Sequence, residues 1–199
     1  MTAPISLPED LSQRLNLMAQ NPRREFMGDN GFDPKGYKPA AVLMPLLFER
    51  DEWQLLYTRR SDSVLAHQGQ VSYPGGSWEV GDEDLVATAL REAWEEVGIR
   101  PENVQVLGKL PALGLISHYL VTPVIGIIPW PYDLRIFPGE VARTFTVPLS
   151  WLADPDNYYT STRIYEGKSY EIFYYQLFDG EKIWGATAHM TQEFIKLLN

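Results

Sequence analysis

Residues 74–99, PGGSWEVGDEDLVATALREAWEEVGI, constrain this chain more than any other stretch. Glu92, Glu95 and Glu96 stand at i, i+3 and i+4, so on a helix they are neighbours on one face. Like charges at that spacing destabilise an isolated helix, and a bound cation removes the repulsion. An all-oxygen donor set of this density favours a hard divalent ion, Mg2+ or Mn2+, over zinc. The apolar residues keep to another side. At about 100° per residue, Val86, Ala89, Leu90, Ala93 and Val97 form a stripe suited to lie on a sheet. Arg91 reaches Glu95, four residues on, and orients it. Gly98 suits a helix stop. Upstream, Pro74, Gly75 and Gly76 predict a tight loop whose backbone approaches an anion or a metal. An acidic helix face on its own is usually just solvated surface. Here it comes with a double glycine, a fixed gap and an Arg-Glu pair.

That combination resembles the Nudix box, the signature of the Nudix hydrolase family, G-x5-E-x7-R-E-U-x-E-E-x-G-U with U aliphatic. Gly76 is followed by five residues and Asp82. Eight residues rather than seven then lead to Arg91, Glu92, Ala93, Trp94, Glu95, Glu96, Val97, Gly98 and Ile99. Counted forward from Gly76, Asp82 fills the acidic slot. Counted back from Arg91, Glu83 fills it and Ser77 takes the glycine slot. The resemblance implies an α+β Nudix fold: an α/β/α sandwich with a central mixed sheet and the loop-helix-loop of the box. It implies Glu92, Glu95, Glu96 and a backbone carbonyl at Gly76 as ligands of Mg2+ or Mn2+. It implies Arg91 as the residue that positions Glu95, and Glu95 or Glu140 as the base.

Residues 56–76 narrow the resemblance. Leu56, Tyr57, Thr58, Arg59, Arg60, Ser61, His67, Gln68, Gly69, Gln70, Tyr73, Pro74, Gly75 and Gly76 are similar to the signature of the coenzyme A pyrophosphatases. That signature reads L-L-T-x-R-S-x3-R-x-H-x-G-Q-x-x-F-P-G-G. Leu65 stands where it has arginine, and Tyr57 and Tyr73 replace leucine and phenylalanine. By resemblance, Arg59, Arg60, Ser61, His67, Gln70, Gly75 and Gly76 contact substrate. Coenzyme A would be cut to 4'-phosphopantetheine and adenosine 3',5'-bisphosphate. Leu65 keeps a second substrate class in play, a dinucleotide or nucleotide sugar. A non-catalytic nucleotide sensor is the reading of another class, and it gives three helical carboxylates no task.

The rest of the chain fits a single hydrolase domain over residues 40–199, with an N-terminal helix and loop over 1–39 packed on it. At 199 residues and 45% hydrophobic, the chain can bury a good core. It has no cysteine, which excludes disulfides and thiolate zinc. A net charge of -9 argues against nucleic-acid binding, which needs a basic patch. No apolar run is long enough to span a bilayer, and the N-terminal residues lack a secretory pattern. A cytoplasmic enzyme of small-molecule nucleoside diphosphates is expected, with the N-terminal helix as a contact if it forms a homodimer.

Along the chain, Ser6 to Glu9 resembles a capping box for a helix over 6–20. Residues 21–39, with Arg23 and Arg24, read as loop. Strands are predicted over 40–48, 53–59, 104–110 and 120–128, with a ligand-side segment holding His118 between the last two. Glu140 is expected to open the next strand. A short helical turn over 150–156 follows, then a hairpin over 160–178. A final helix is predicted from Ile183 to Leu198. His67, His118 and His189 are too scattered to form a cluster.

Overall fold

The computed structural model describes residues 4–20, 35–62, 68–165 and 167–198. Arg23, Arg24, Leu65 and His67, each singled out above, lie outside the described residues. The central strand is β1 (Lys38–Glu49), whose apolar run is buried on both faces, as a continuous run requires of an interior strand. Arg50 and Asp51 then both take positive φ, 55° and 59°. They make a two-residue hairpin of the kind that suits strand twist and lead into β2 (Glu52–Arg60).

The β1–β2 pair stays closed only at its hairpin end, from Leu46↔Leu55 to Glu49↔Glu52. Farther along, β1 pairs instead with β4 (Gly75–Ser77), and β2 with β3 (Val71–Ser72). The glycine segment is thus wedged between two strands that have separated. On its other side β1 runs parallel to β7 (Tyr119–Ile127). That strand in turn pairs with β5 (Gln105–Lys109) and β6 (Leu113–Gly114). The outer edge of β2 carries β8 (Val141–Pro148). The sheet is mixed, as expected of the fold class.

Alternation along β1 sorts the core into two layers. Ala41, Leu43 and Leu47 face α2 (Leu85–Val97), meeting Ala89, Ala93 and Val97, all with no exposed surface. Alanine at 89 and 93 lets the helix lie close, and a larger side chain there would overpack by about 1–3 kcal/mol. Ala40, Met44 and Leu46 face the other way, toward α3 (Leu149–Ala153) and α4 (Gly185–Lys196). A second, antiparallel sheet joins this layer: β9 (Tyr158–Tyr165), β10 (Lys168–Phe178) and β11 (Glu181–Trp184).

Three boundaries differ from expectation. The first helix, α1, spans Leu11–Gln20 rather than 6–20, its first turn tied by Leu11 N–H to the Pro8 carbonyl. Its buried Leu11 and Leu15 pack inward, Leu15 over Gly108 of β5, where a Cβ would sit 2.7 Å from Leu15 Cβ. Ile183 and Trp184 belong to β11, and the last helix starts at Gly185. Glu140 lies in a turn, one residue before β8.

Candidate active site

Helix α2 begins at a cap the sequence reading passed over. Asp84 is extended, and its Oδ1 accepts from the N–H groups of Val86 (2.8 Å) and Ala87 (2.9 Å), satisfying two of the helix's free donors. The helix stops at Gly98, whose φ of 74° is the left-handed conformation expected of a glycine there. Between these ends the three glutamates fall in distinct environments. Glu95 points to solvent and its Oε2 accepts from Arg91 Nη1 at 3.2 Å. Glu92 is largely covered and accepts from the same nitrogen at 2.9 Å. Glu96 is only 3% exposed.

Arg91 is the hub. Its Nε and Nη2 donate to the two oxygens of Asp82 at 3.0 and 3.1 Å, and Nη2 also donates to the Ser77 carbonyl at 3.0 Å. Asp82 further accepts from Glu79 N–H and Thr88 Oγ1. The Arg91 hydrogen bonds hold the Asp82 carboxyl well below the usual carboxylate range, and Asp82 raises the guanidinium in return. The acidic slot left open by the spacing therefore belongs to Asp82, and the extra residue is absorbed between it and Arg91.

The expected tight glycine loop is instead the short strand β4. Neither Gly75 nor Gly76 has positive φ, so close approach, not backbone freedom, requires glycine. A Cβ on Gly75 would stand 2.4 Å from the Ala41 carbonyl oxygen, and one on Gly76 would stand 2.5 Å from the Glu92 carboxylate.

Burial pushes the Glu96 carboxyl up to about 8; Arg60 opposes this, Glu140 and Glu92 add to it, and the Gly75 backbone amide opposes it slightly. Glu92 is raised by burial as well, against Arg91 and with Glu95 and Glu140. Arg60 and Glu140 thus stand close enough to act on the helical carboxylates, although they come from other elements. The turn before β8 is anchored by Ser61 N–H to the Glu140 carbonyl at 2.7 Å, and Arg60 N–H donates to the Gln70 carbonyl at 2.9 Å. Arg59, the next residue on β2, turns away to Asp62 and to Glu181, which it shares with Arg143. His118 is exposed and meets the Tyr37 ring at a tilt, and His189 packs edge-on against Phe173.

The donor types suit a hard divalent cation: carboxylates of Glu92, Glu95 and Glu96 on one helix, Glu140 close enough to act on two of them, and Gly76 leaving room for the Glu92 carboxylate. Arg60 Nε is buried without a hydrogen-bond partner, a charged donor left unsatisfied at the edge of the cluster. Among the described residues, no three His, Asp or Glu side chains are already gathered around one point, so sharing an ion calls for side-chain rotation.

A cavity of about 610 Å3 opens beside Arg60 and Gln70, walled also by Tyr73, Val121, Trp184 and Met190. The two tyrosines that depart from the signature explain each other behind this wall. Tyr73 Oη donates to Tyr57 Oη at 3.0 Å, and the two hydroxyls lie 2.7 and 3.1 Å from Thr191 Oγ1 of α4. Among the described residues no helix is long and apolar enough to cross a membrane.

Comparison with known proteins converges on one family. The NUDIX domain matches residues 37–166. A Photorhabdus laumondii protein named "Uncharacterized Nudix hydrolase NudL" is 37% identical over 179 residues, 90% of this chain and 91% of its own length. A Shigella flexneri protein of the same name is 36% identical over 188 residues, 93% of this chain and 91% of its own. Among solved structures, a Deinococcus radiodurans protein, DR0079, superposes with TM-score 0.51 over 82% of this chain and 88% of that one, at 15% identity. The Mycobacterium smegmatis Nudix hydrolase RenU gives 0.50 over 64% and 81%, at 22% identity.

Proposed function

Because the chain belongs to the Nudix hydrolase family, we propose that it hydrolyses the phosphoanhydride of coenzyme A or acyl-coenzyme A. The products would be 4'-phosphopantetheine, or its acyl form, and adenosine 3',5'-bisphosphate. The observation that carries this reading is the 56–76 segment. Its Arg60, Gln70 and Tyr73 share the wall of one cavity, and Arg60 acts on the buried Glu96.

Glu92, Glu95, Glu96 and the Gly76 backbone carbonyl would hold Mg2+ or Mn2+, with Glu140 near them. Such an ion, when bound, neutralises charge on phosphoryl oxygens and lowers the pKa of bound water. The protein's own groups do the rest. Arg91 fixes Glu92 and Glu95 through one nitrogen while Asp82 fixes Arg91. Arg60 offers its unpartnered donor to a phosphate oxygen. Glu95, exposed and already oriented, or Glu140 takes the proton of the attacking water. Ser61, Gln70 and His67 complete the substrate-binding set. Arg59, tied to Asp62 and Glu181, serves to hold β2 against β11.

The test is a Mg2+- and Mn2+-dependent hydrolysis screen with product identification, over coenzyme A, acyl-coenzyme A, dinucleotides and nucleotide sugars. A coenzyme A compound giving the highest kcat/KM is expected, and Glu96→Gln should abolish most turnover. Leu65, in place of the signature arginine, favours the second reading, a dinucleotide or nucleotide sugar. Preference for either of those would replace the coenzyme A assignment.

A further inference from the structure

The cavity beside Arg60 shares one wall residue with a second cavity. Met190 forms part of its far wall and also part of the wall of a second cavity, of about 360 Å3, bounded by Leu17 and Met18 of α1. Two other elements run past both. Val121 lines the first cavity and Pro123 the second; two residues apart on β7, they face the same side of the strand. The segment between β5 and β7 gives Leu115 to the first and Leu113 to the second. The two spaces therefore lie end to end on one face of the sheet, with the Met190 side chain between them.

Their chemistry is graded. The first has Arg60 at its catalytic end and Gln70, Ser72 and Thr187 along its wall, groups able to meet phosphate and amides. The second is carbon-lined except for His189 and Glu193. Glu193 carries a negative charge that opposes an anionic group there, although Lys196 pairs with it. A second nucleotide or a sugar would find little to hydrogen-bond at that end, whereas a hydrocarbon chain would find its own kind.

We infer that the paired cavities bind the acyl arm of a thioester substrate, its diphosphate at Arg60 and its chain passing Met190 toward α1. This inference rests on the coenzyme A reading and adds a chain-length preference to it. Met190 suits the position, since an unbranched thioether side chain adapts to what lies beside it.

The experiment measures kcat/KM for free, acetyl-, octanoyl- and dodecanoyl-coenzyme A in the wild type, Ala112→Trp and Met190→Ala. Ala112 is half-buried in the wall of the second cavity, away from the catalytic groups. Each buried methylene strengthens binding about fourfold, from about 0.8 kcal/mol, so octanoyl should exceed acetyl by at least about tenfold. Ala112→Trp should bring octanoyl down to acetyl with the free coenzyme unchanged, and Met190→Ala should favour dodecanoyl. Titration calorimetry of S-octanoyl-pantetheine, which has no diphosphate, runs alongside on the metal-free protein. Binding that Ala112→Trp abolishes supports the arm site even if no coenzyme A ester is hydrolysed; the coenzyme A reading alone then fails. Hydrolysis with a flat chain-length profile, or one that both variants leave in place, overturns the arm site and leaves that reading standing. Absence of both hydrolysis and pantetheine binding overturns both.

Discussion

Adding one methyl group at each of two adjacent glycines should separate folding from catalysis. In Gly75→Ala the new Cβ would lie 2.4 Å from the Ala41 carbonyl oxygen and 2.6 Å from Val42 Cα. Both are backbone atoms of the central strand and have nowhere to go. Overpacking of this kind costs about 3 kcal/mol or more when backbone must shift, and for a chain of this size each kcal/mol lowers Tm by about 2–4 °C. A fall of about 6–12 °C is expected. In Gly76→Ala the Cβ comes nearest to the Glu92 carboxylate, at 2.5 Å, the far end of a flexible side chain that swings aside. That sacrifices the Arg91–Glu92 hydrogen bond, about 1 kcal/mol, so Tm should drop by no more than about 4 °C. Yet Glu92 leaves the place where it would hold a cation, and Mg2+-dependent turnover should fall at least about tenfold. Differential scanning fluorimetry with a steady-state assay reads both. A Gly76→Ala enzyme with wild-type turnover would refute the role given to Glu92, and a Gly75→Ala protein as stable as wild type would refute the packing account.

Two further outcomes follow from the charge network. Asp82→Asn should lower stability by about 1–2 kcal/mol, from the loss of roughly two net hydrogen bonds. It should reduce turnover as well, because Arg91 loses the fork that orients it; Asp82→Glu restoring both more fully than Asn would confirm the carboxylate's part, and equal behaviour of the two would deny it. The second outcome concerns pH. Glu96 holds its proton up to about 8 in the folded protein, against about 4.3 in an unfolded chain. Between those limits the folded state binds more protons, so the stability of the metal-free protein falls as pH rises. Urea denaturation at pH 5 and pH 8 should show the decline in wild type and a flatter response in Glu96→Gln; an identical decline in both would remove Glu96 as its source.

How much of this was legible in the residues depends on distance along the chain. The body and stop of α2 follow from a local period of 3.6; of its stripe Ala89, Ala93 and Val97 are buried and Val86 and Leu90 half-buried, while Glu96 on the acidic side is buried as well. The cap at Asp84 was equally local, an aspartate directly before the helix, and was overshadowed by the question of whether Asp82 or Glu83 fills the acidic slot. Spacing along the chain does not decide that slot, because it belongs to whichever carboxylate the Arg91 fork reaches. The glycine pair was read through backbone freedom, whereas its cause is the approach of β1 on one side and Glu92 on the other. Nothing near Arg59 reveals that it turns from Arg60 toward Glu181, which lies on a strand far along the chain. The helix start at Leu11 was missed because Ser6 to Glu9 mimics a capping box while the Pro8 carbonyl ends up serving Leu11 N–H.

The hydroxyl triangle of Tyr57, Tyr73 and Thr191 has an evolutionary corollary. Each member is buried; Thr191 Oγ1 donates to the Thr187 carbonyl, and the two tyrosine hydroxyls partner it and each other. Replacing one tyrosine by the apolar residue of the signature takes a partner from hydroxyls that stay buried in carbon, whereas replacing all three hydroxyl residues by apolar ones leaves none of them unmet. Lineages leaving this arrangement should therefore change in concert, and single apolar replacements at these sites should be worse than the triple replacement.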